Sequence, residues 1–190
     1  LLDIVKRVSE LTGVESPVIV GSQTLYAVTE SVPSIVRDSV ECDFMLAEAG
    51  IEAIQAVNHH LGILSSFSKT KGYFADGLGL ATVVLAPGWK DRLIPLKDDG
   101  GQTVALCLEL HDTAVSKLMA GRDKDYVFLN EILASRLISL ETLVERAALI
   151  LETAHEGALL PRLQKLFDYL RKQQALVDLK PLSALISQLR

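Results

Sequence analysis

The sequence predicts an α+β protein, and three features carry that expectation. Short β-branched runs such as VIV (18–20) and VECDF (40–44) have the composition of strands. From about Leu64 to Leu110 such runs recur between turn signals, of which KDDGG (97–101) is the strongest. From His111 onward Leu and Ala dominate a series of helix-like segments. These features divide the chain into a strand-containing core, 1–110, and a helical C-terminal region, 111–190, expected to pack on it. A chain of 190 residues can bury one good core, alone or with such a helical appendage.

The elements follow in order. LLDIVKRVSELTG (1–13) reads as a helix with Leu2, Val5, Val8 and Leu11 at helical spacing, stopped by Gly13. SPVIVG (16–21) is a short strand, and QTLYAVTE (23–30) reads as a helix opened by Gly21-Ser22. After a polar break around Ser31 to Asp38, SVECDFML (39–46) is a strand whose alternation puts Val40, Cys42, Phe44 and Leu46 on a buried face. AEAGIEAIQAVNHHLG (47–62) is helical, with Ile51, Ile54 and Val57 inward. GYFADGLG (72–79), ATVVLAPG (81–88), DRLIPL (91–96) and TVALCLEL (103–110) read as strands. HDTAVSKLMAG (111–121), DKDYVFLNEILASRL (123–137), SLETLVERAALILETAH (139–155) and PRLQKLFDYLRKQQ (161–174) read as helices.

Composition narrows the class. Hydrophobic residues make up 49% and charged residues 23%, with mean hydropathy +0.29, the profile of a chain that folds and not of a disordered one. No apolar run approaches the ~18 residues of a bilayer span, and no basic stretch leads into an apolar one at the start. A soluble, cytoplasmic protein with no membrane partner is expected. The net charge of −5 argues against a general nucleic-acid coat. Cys42 and Cys107 sit in apolar runs, where a free thiol behaves as a small buried hydrophobe.

One stretch carries chemistry. In Ser39 to Leu46, Glu41 and Asp43 must face the same way, opposite to Cys42 and Phe44. Successive same-face positions stand roughly 6 to 7 Å apart at ~3.3 Å per residue, so the two like charges call for a compensating partner. Paired carboxylates suit a hard cation such as Mg²⁺, which takes oxygen ligands from protein and from substrate phosphates. Upstream, Gly21-Ser22 at a strand-to-helix junction offers close backbone approach and free N–H groups to an anion. Downstream, SKLMAGRDKD supplies Lys117, Arg122 and Lys124. Lys117 and Arg122 have a plain alternative as partners of Asp123 or Asp125, and Asp125 as a brace of that junction.

Taken in order, VIVGSQTLYAV, VECDFML and HDTAVSKLMAGRDKDYVFL resemble the nucleotidyltransferase superfamily related to DNA polymerase β, near the AbiEii-type toxins and uncharacterised bacterial proteins of the same fold. The resemblance covers roughly residues 17 to 130. It implies a mixed sheet with flanking helices, Gly21 and Ser22 holding phosphates, Glu41 and Asp43 binding Mg²⁺, and Lys117 with Arg122 steadying an NTP. It also implies a third acid on a later strand. Asp76 in GYFADGL is the first choice and Glu109 the second. The implied activity is transfer of a nucleotide from the NTP to an RNA, protein or small-molecule acceptor. A toxin-like role with an antitoxin-like protein partner follows from the resemblance only. Two other readings stand beside it: a catalytically silent module of the same fold, and an interaction protein whose strand acids are merely solvated. Glu41 stands where many family members carry Asp, a longer arm that still reaches a cation.

Overall fold

A computed structural model of the chain describes residues 1–29, 33 and 39–190. The polar break expected at Ser31 to Asp38 lies outside the described residues, Pro33 apart. The chain forms two compact units, Leu1–Val83 with Lys90–Glu109, and Val84–Trp89 with Leu110–Arg190.

The first unit is built on a mixed five-stranded sheet of order β3-β2-β1-β5-β4, where β1 is Val18–Val20, β2 Glu41–Met45, β3 Phe74–Leu78, β4 Ile94–Lys97 and β5 Thr103–Cys107. β1 is antiparallel to β2 and parallel to β5, β2 is parallel to β3, and β4 is antiparallel to β5. Helices α1 (Leu2–Thr12) and α2 (Ile51–His60) supply the apolar layer. Ile4, Val5 and Val8 of α1 and Val57 of α2 join Ile19, Cys42, Phe44, Ala75, Ala105 and Cys107 from the strands in one cluster. Each fully buried aliphatic or aromatic side chain there contributes about 1.5–3 kcal/mol. Cys42 and Cys107 are both free and buried, and burial pushes both thiols up, Cys107 to about 12.

The apolar face of α1 is rotated from the expected one: Ile4 is buried, while Leu2 and Leu11 reach solvent. In α2, Ile51 is exposed and the buried face runs through Ala53 and Val57. Val40 is exposed as well, because β2 begins one residue later and the alternation does not extend back to it.

Other corrections concern boundaries and partners. The described part of QTLYAVTE, up to Thr29, is not an α-helix; Ser22–Ala27 form a 3₁₀ helix. ATVVLAPG is not a strand: Ala81 to Gly88 form turns and irregular backbone, and Ala86 is fully buried in the second unit. Ser66–Lys71, placed among the strands, form the short helix α3, capped by Ser65, whose hydroxyl accepts the Ser68 N–H at 3.1 Å.

β3 is an edge strand, yet its outer side is bonded. Its even-numbered residues face β2, with Phe74 N–H donating to Val40 and Leu78 carbonyl accepting from Leu46. On the outside, Ala75 N–H donates to the Leu61 carbonyl at 2.9 Å. The Asn58 side chain accepts the Gly77 N–H at 2.6 Å and donates to the Gly77 carbonyl at 3.1 Å. Gly77 permits this approach, since a Cβ there would stand 3.1 Å from the Ile54 carbonyl oxygen.

The second unit is helical: α4 (Leu110–Ala120), α5 (Asp123–Ala134), α6 (Leu140–Ala148), α7 (Glu156–Lys172) and α8 (Lys180–Gln188). α4 packs against α5, α6 and α7 and buries Ala114, Val115 and Leu118 completely. Asp112, also fully buried, is paired with Arg146 of α6 at 2.9 Å. The expected long helix over 139–155 is α6 followed by a 3₁₀ turn, Leu149–Glu152. α7 starts five residues ahead of Pro161, and α8 lies past the last helix expected from sequence.

Candidate active site

Pleat and register set the acid face of the sheet. Glu41 and Asp43 are alternate residues of β2, so they leave the same face, opposite to Cys42 and Phe44 in the core. β3 runs parallel with Asp76 directly beside Asp43, which carries a third carboxylate to that face. One carboxylate oxygen from each of Glu41, Asp43 and Asp76 lies within 4.8 Å of the other two, and all three side chains are half-buried. Among the described residues no other three or more metal-ligating side chains gather in this way. Glu109, the alternative third acid, follows β5, which lies on the far side of β1 from β2.

The gathering has an electrostatic cost. Burial pushes the Asp76 carboxyl above its ordinary value, and the neighbouring Glu41 charge adds to the rise. A cation relieves both effects at once. The donors are all carboxylate oxygens, the set that suits a hard divalent ion such as Mg²⁺ and not a soft one. The residues present therefore fit the metal that the fold family implies.

Gly21 stands against the same face. It ends β1, where Val20 is the register partner of Asp43, and its φ of 77° with ψ of −158° is a conformation that side-chain-bearing residues avoid. A Cβ at Gly21 would overlap Oδ2 of Asp43 and stand 3.3 Å from its Cγ. Glycine thus lets the turn lie flush on the carboxylate, and Ser22 follows as the first residue of the 3₁₀ helix. A six-residue 3₁₀ helix carries little of the macrodipole expected from an α-helix. What the turn offers an anion is its backbone N–H groups and the Ser22 hydroxyl, next to Asp43.

Lys117 and Arg122 belong to the second unit and meet at Asp125. Arg122 donates through Nε at 2.8 Å and Nη2 at 3.1 Å to the two oxygens of Asp125, and its backbone N–H donates to Oδ2 at 3.0 Å. Lys117 Nζ lies 3.8 Å from Oδ1. Asp125 is 1% exposed while the Arg122 side chain is 56% exposed, so a buried carboxylate caps α5 and fixes two cations whose heads differ in access to water. Two further cations escaped the sequence reading. The Arg162 guanidinium fills the space in front of Gly121 that a Cβ would need. Lys165 Nζ pairs with Asp123 at 3.0 Å and lies 4.8 Å from the centre of the Tyr126 ring. Both stand on α7, about forty residues along the chain, and nothing in the local pattern of that helix marks them.

Residues 1–156 match the family described as nucleotidyltransferase of unknown function (DUF6036). The chain belongs to this family. The match takes in the Gly21-Ser22 turn, both acid strands and the 117–125 segment, and it ends where α7 begins, so Arg162 and Lys165 lie beyond it. No curated protein and no solved structure matches the chain. Family membership carries a nucleotidyltransferase-type fold, and the mixed sheet with its three carboxylates agrees with it. No helix among the described residues is long and apolar enough to cross a membrane.

Proposed function

We propose that this family member transfers a nucleotide from an NTP to a hydroxyl acceptor in a Mg²⁺-dependent reaction. The observation that carries the reading is the convergence of Glu41, Asp43 and Asp76 within 4.8 Å directly against the Gly21 turn. Glu41, Asp43 and Asp76 hold the metal, which when bound neutralises phosphate charge and polarises the α-phosphate. Gly21 and Ser22 hold the phosphates through N–H groups and the serine hydroxyl. Lys117 and Arg122, whose geometry Asp125 fixes, are the cations that the resemblance assigns to an NTP. Asp76, half-buried beside Asp43, takes the acceptor's hydroxyl proton at a carboxylate oxygen. The acceptor oxygen bonds to the α-phosphorus, the bond from that phosphorus to the bridging oxygen breaks, and pyrophosphate leaves.

The acceptor class is an RNA, a protein or a small molecule, the location the cytoplasm, and a toxin-like role with an antitoxin-like partner rests on the resemblance alone. A silent binding module has no need of a third carboxylate, and the position of Asp76 beside Asp43 supports the enzyme over it. The test is incubation with each labelled NTP, Mg²⁺ and a cell extract of RNA and protein, wild type against Glu41→Ala plus Asp43→Ala. Label transfer that disappears in the double variant supports the reading. Transfer absent from both, with measurable NTP binding, favours the silent module.

A further inference from the structure

We infer that Asn58 is a positioning residue that aims Asp76 at the other two carboxylates. The inference rests on the proposed cation site and adds to it a part that no acid supplies. Asp76 lies between Ala75 and Gly77, and the register of β3 on β2 fixes only its inner side. Its outer side is an edge, where a strand is free to twist. Gly77 is the weak point, because a strand glycine has no side chain to restrain its dihedrals, and any drift there turns the neighbouring carboxylate. The Asn58 amide supplies the restraint. Its Oδ1 accepts the Gly77 N–H at 2.6 Å and its Nδ2 donates to the Gly77 carbonyl at 3.1 Å. Only a side-chain amide offers donor and acceptor together to one residue in this way. Two residues earlier the Leu61 carbonyl accepts the Ala75 N–H at 2.9 Å, so both neighbours of Asp76 are tied to the C-terminal end of α2. Glycine at 77 and asparagine at 58 therefore act as a pair: the first admits the helix, and the second replaces the rigidity that the first gives up.

A restraint of this kind acts on cation affinity through Asp76 alone, and a double-mutant cycle separates it from a general structural role. Mn²⁺ binding, without nucleotide, is measured by calorimetry on the full chain for wild type, Asn58→Ala, Asp76→Asn and the double variant, with a thermal melt of each. The expected result is a loss of about tenfold in Mn²⁺ affinity from Asn58→Ala when Asp76 is present, the scale of a lost outer partner, and less than about twofold when it is absent. Should Asn58→Ala give no cooperative melt, Asn58→Ser takes its place in the same cycle. An equal loss in both backgrounds, or none in either, overturns the inference and leaves the cation site standing. Wild type without Mn²⁺ affinity, or Asp76→Asn binding as tightly as wild type, removes the proposed site and the inference with it.

Discussion

Two clusters of charge in this molecule are resolved in opposite ways. On β2 and β3, backbone geometry forces three carboxylates onto one face, and burial together with Glu41 makes Asp76 reluctant to ionise. At the head of α5, Lys117 and Arg122 gather around Asp125, and the cluster supplies its own counter-charge. The first arrangement carries a standing electrostatic cost that an incoming cation removes; the second is held together from within. The raised proton affinity of Asp76 marks a place that favours a cation, whereas the pairing at Asp125 fastens the head of α5.

The sharpest break of the comparison is at the acids. Glu41→Ala plus Asp43→Ala is expected to lower label transfer by more than the roughly 100-fold that loss of an outer partner costs a metal site, with no loss of melting temperature. Next comes the paired cluster. Asp125→Ala removes a carboxylate that is 1% exposed and leaves Lys117, only 17% exposed, without it; urea unfolding is expected to show a loss of about 3 kcal/mol, the lower end for breaking a buried pair because Arg122 stays largely in water.

A smaller effect of opposite sign is expected at Asp76. Its carboxyl is raised above the ordinary 3.8 in the folded chain, so the native state binds this proton more tightly than the unfolded state does. Stability from this group is then present below 3.8 and lost as pH rises through the raised folded value. Asp76→Asn should accordingly melt higher than wild type at neutral pH, with the difference vanishing below 3.8, while Mg²⁺ raises the melting temperature of wild type and not of the variant. The smallest effect tests the rim of the paired cluster: Asp123, 97% exposed in its pair with Lys165, should change stability by less than about 1 kcal/mol when replaced by Ala, as exposed ion pairs do.

The acid strand was legible because strand parity is local: Glu41, Cys42, Asp43 and Phe44 declare their faces without reference to any other element. Asp76 was legible as the acid after the following helix, but its register against Asp43 is a property of two strands together. The Asn58 clamp had no signal at all, since an asparagine in the last turns of a helix looks like an ordinary surface residue until the edge strand arrives beside it. ATVVLAPG misled for the reverse reason. Its composition suits a strand, yet a strand exists only where a neighbour pairs with it, and Ala86 is instead buried in the helical unit. The 3₁₀ form of Ser22–Ala27 was equally hidden, because one turn of either helix type admits the same residues. The exposure of Leu2, Leu11 and Ile51 shows that apolar spacing locates a helix better than it locates the helix's buried side.

The fastening of β3 has a further consequence, for the protein's behaviour in crowded solution. A sheet with a bare margin recruits strands from other molecules and grows into aggregates. Here one margin is sealed by the end of a helix. The other, β4, carries Pro95, which has no N–H to offer, the exposed Lys97, and an irregular register between Leu96 and Lys97. Among the described residues the sheet is thereby terminated on both sides against fibrous growth.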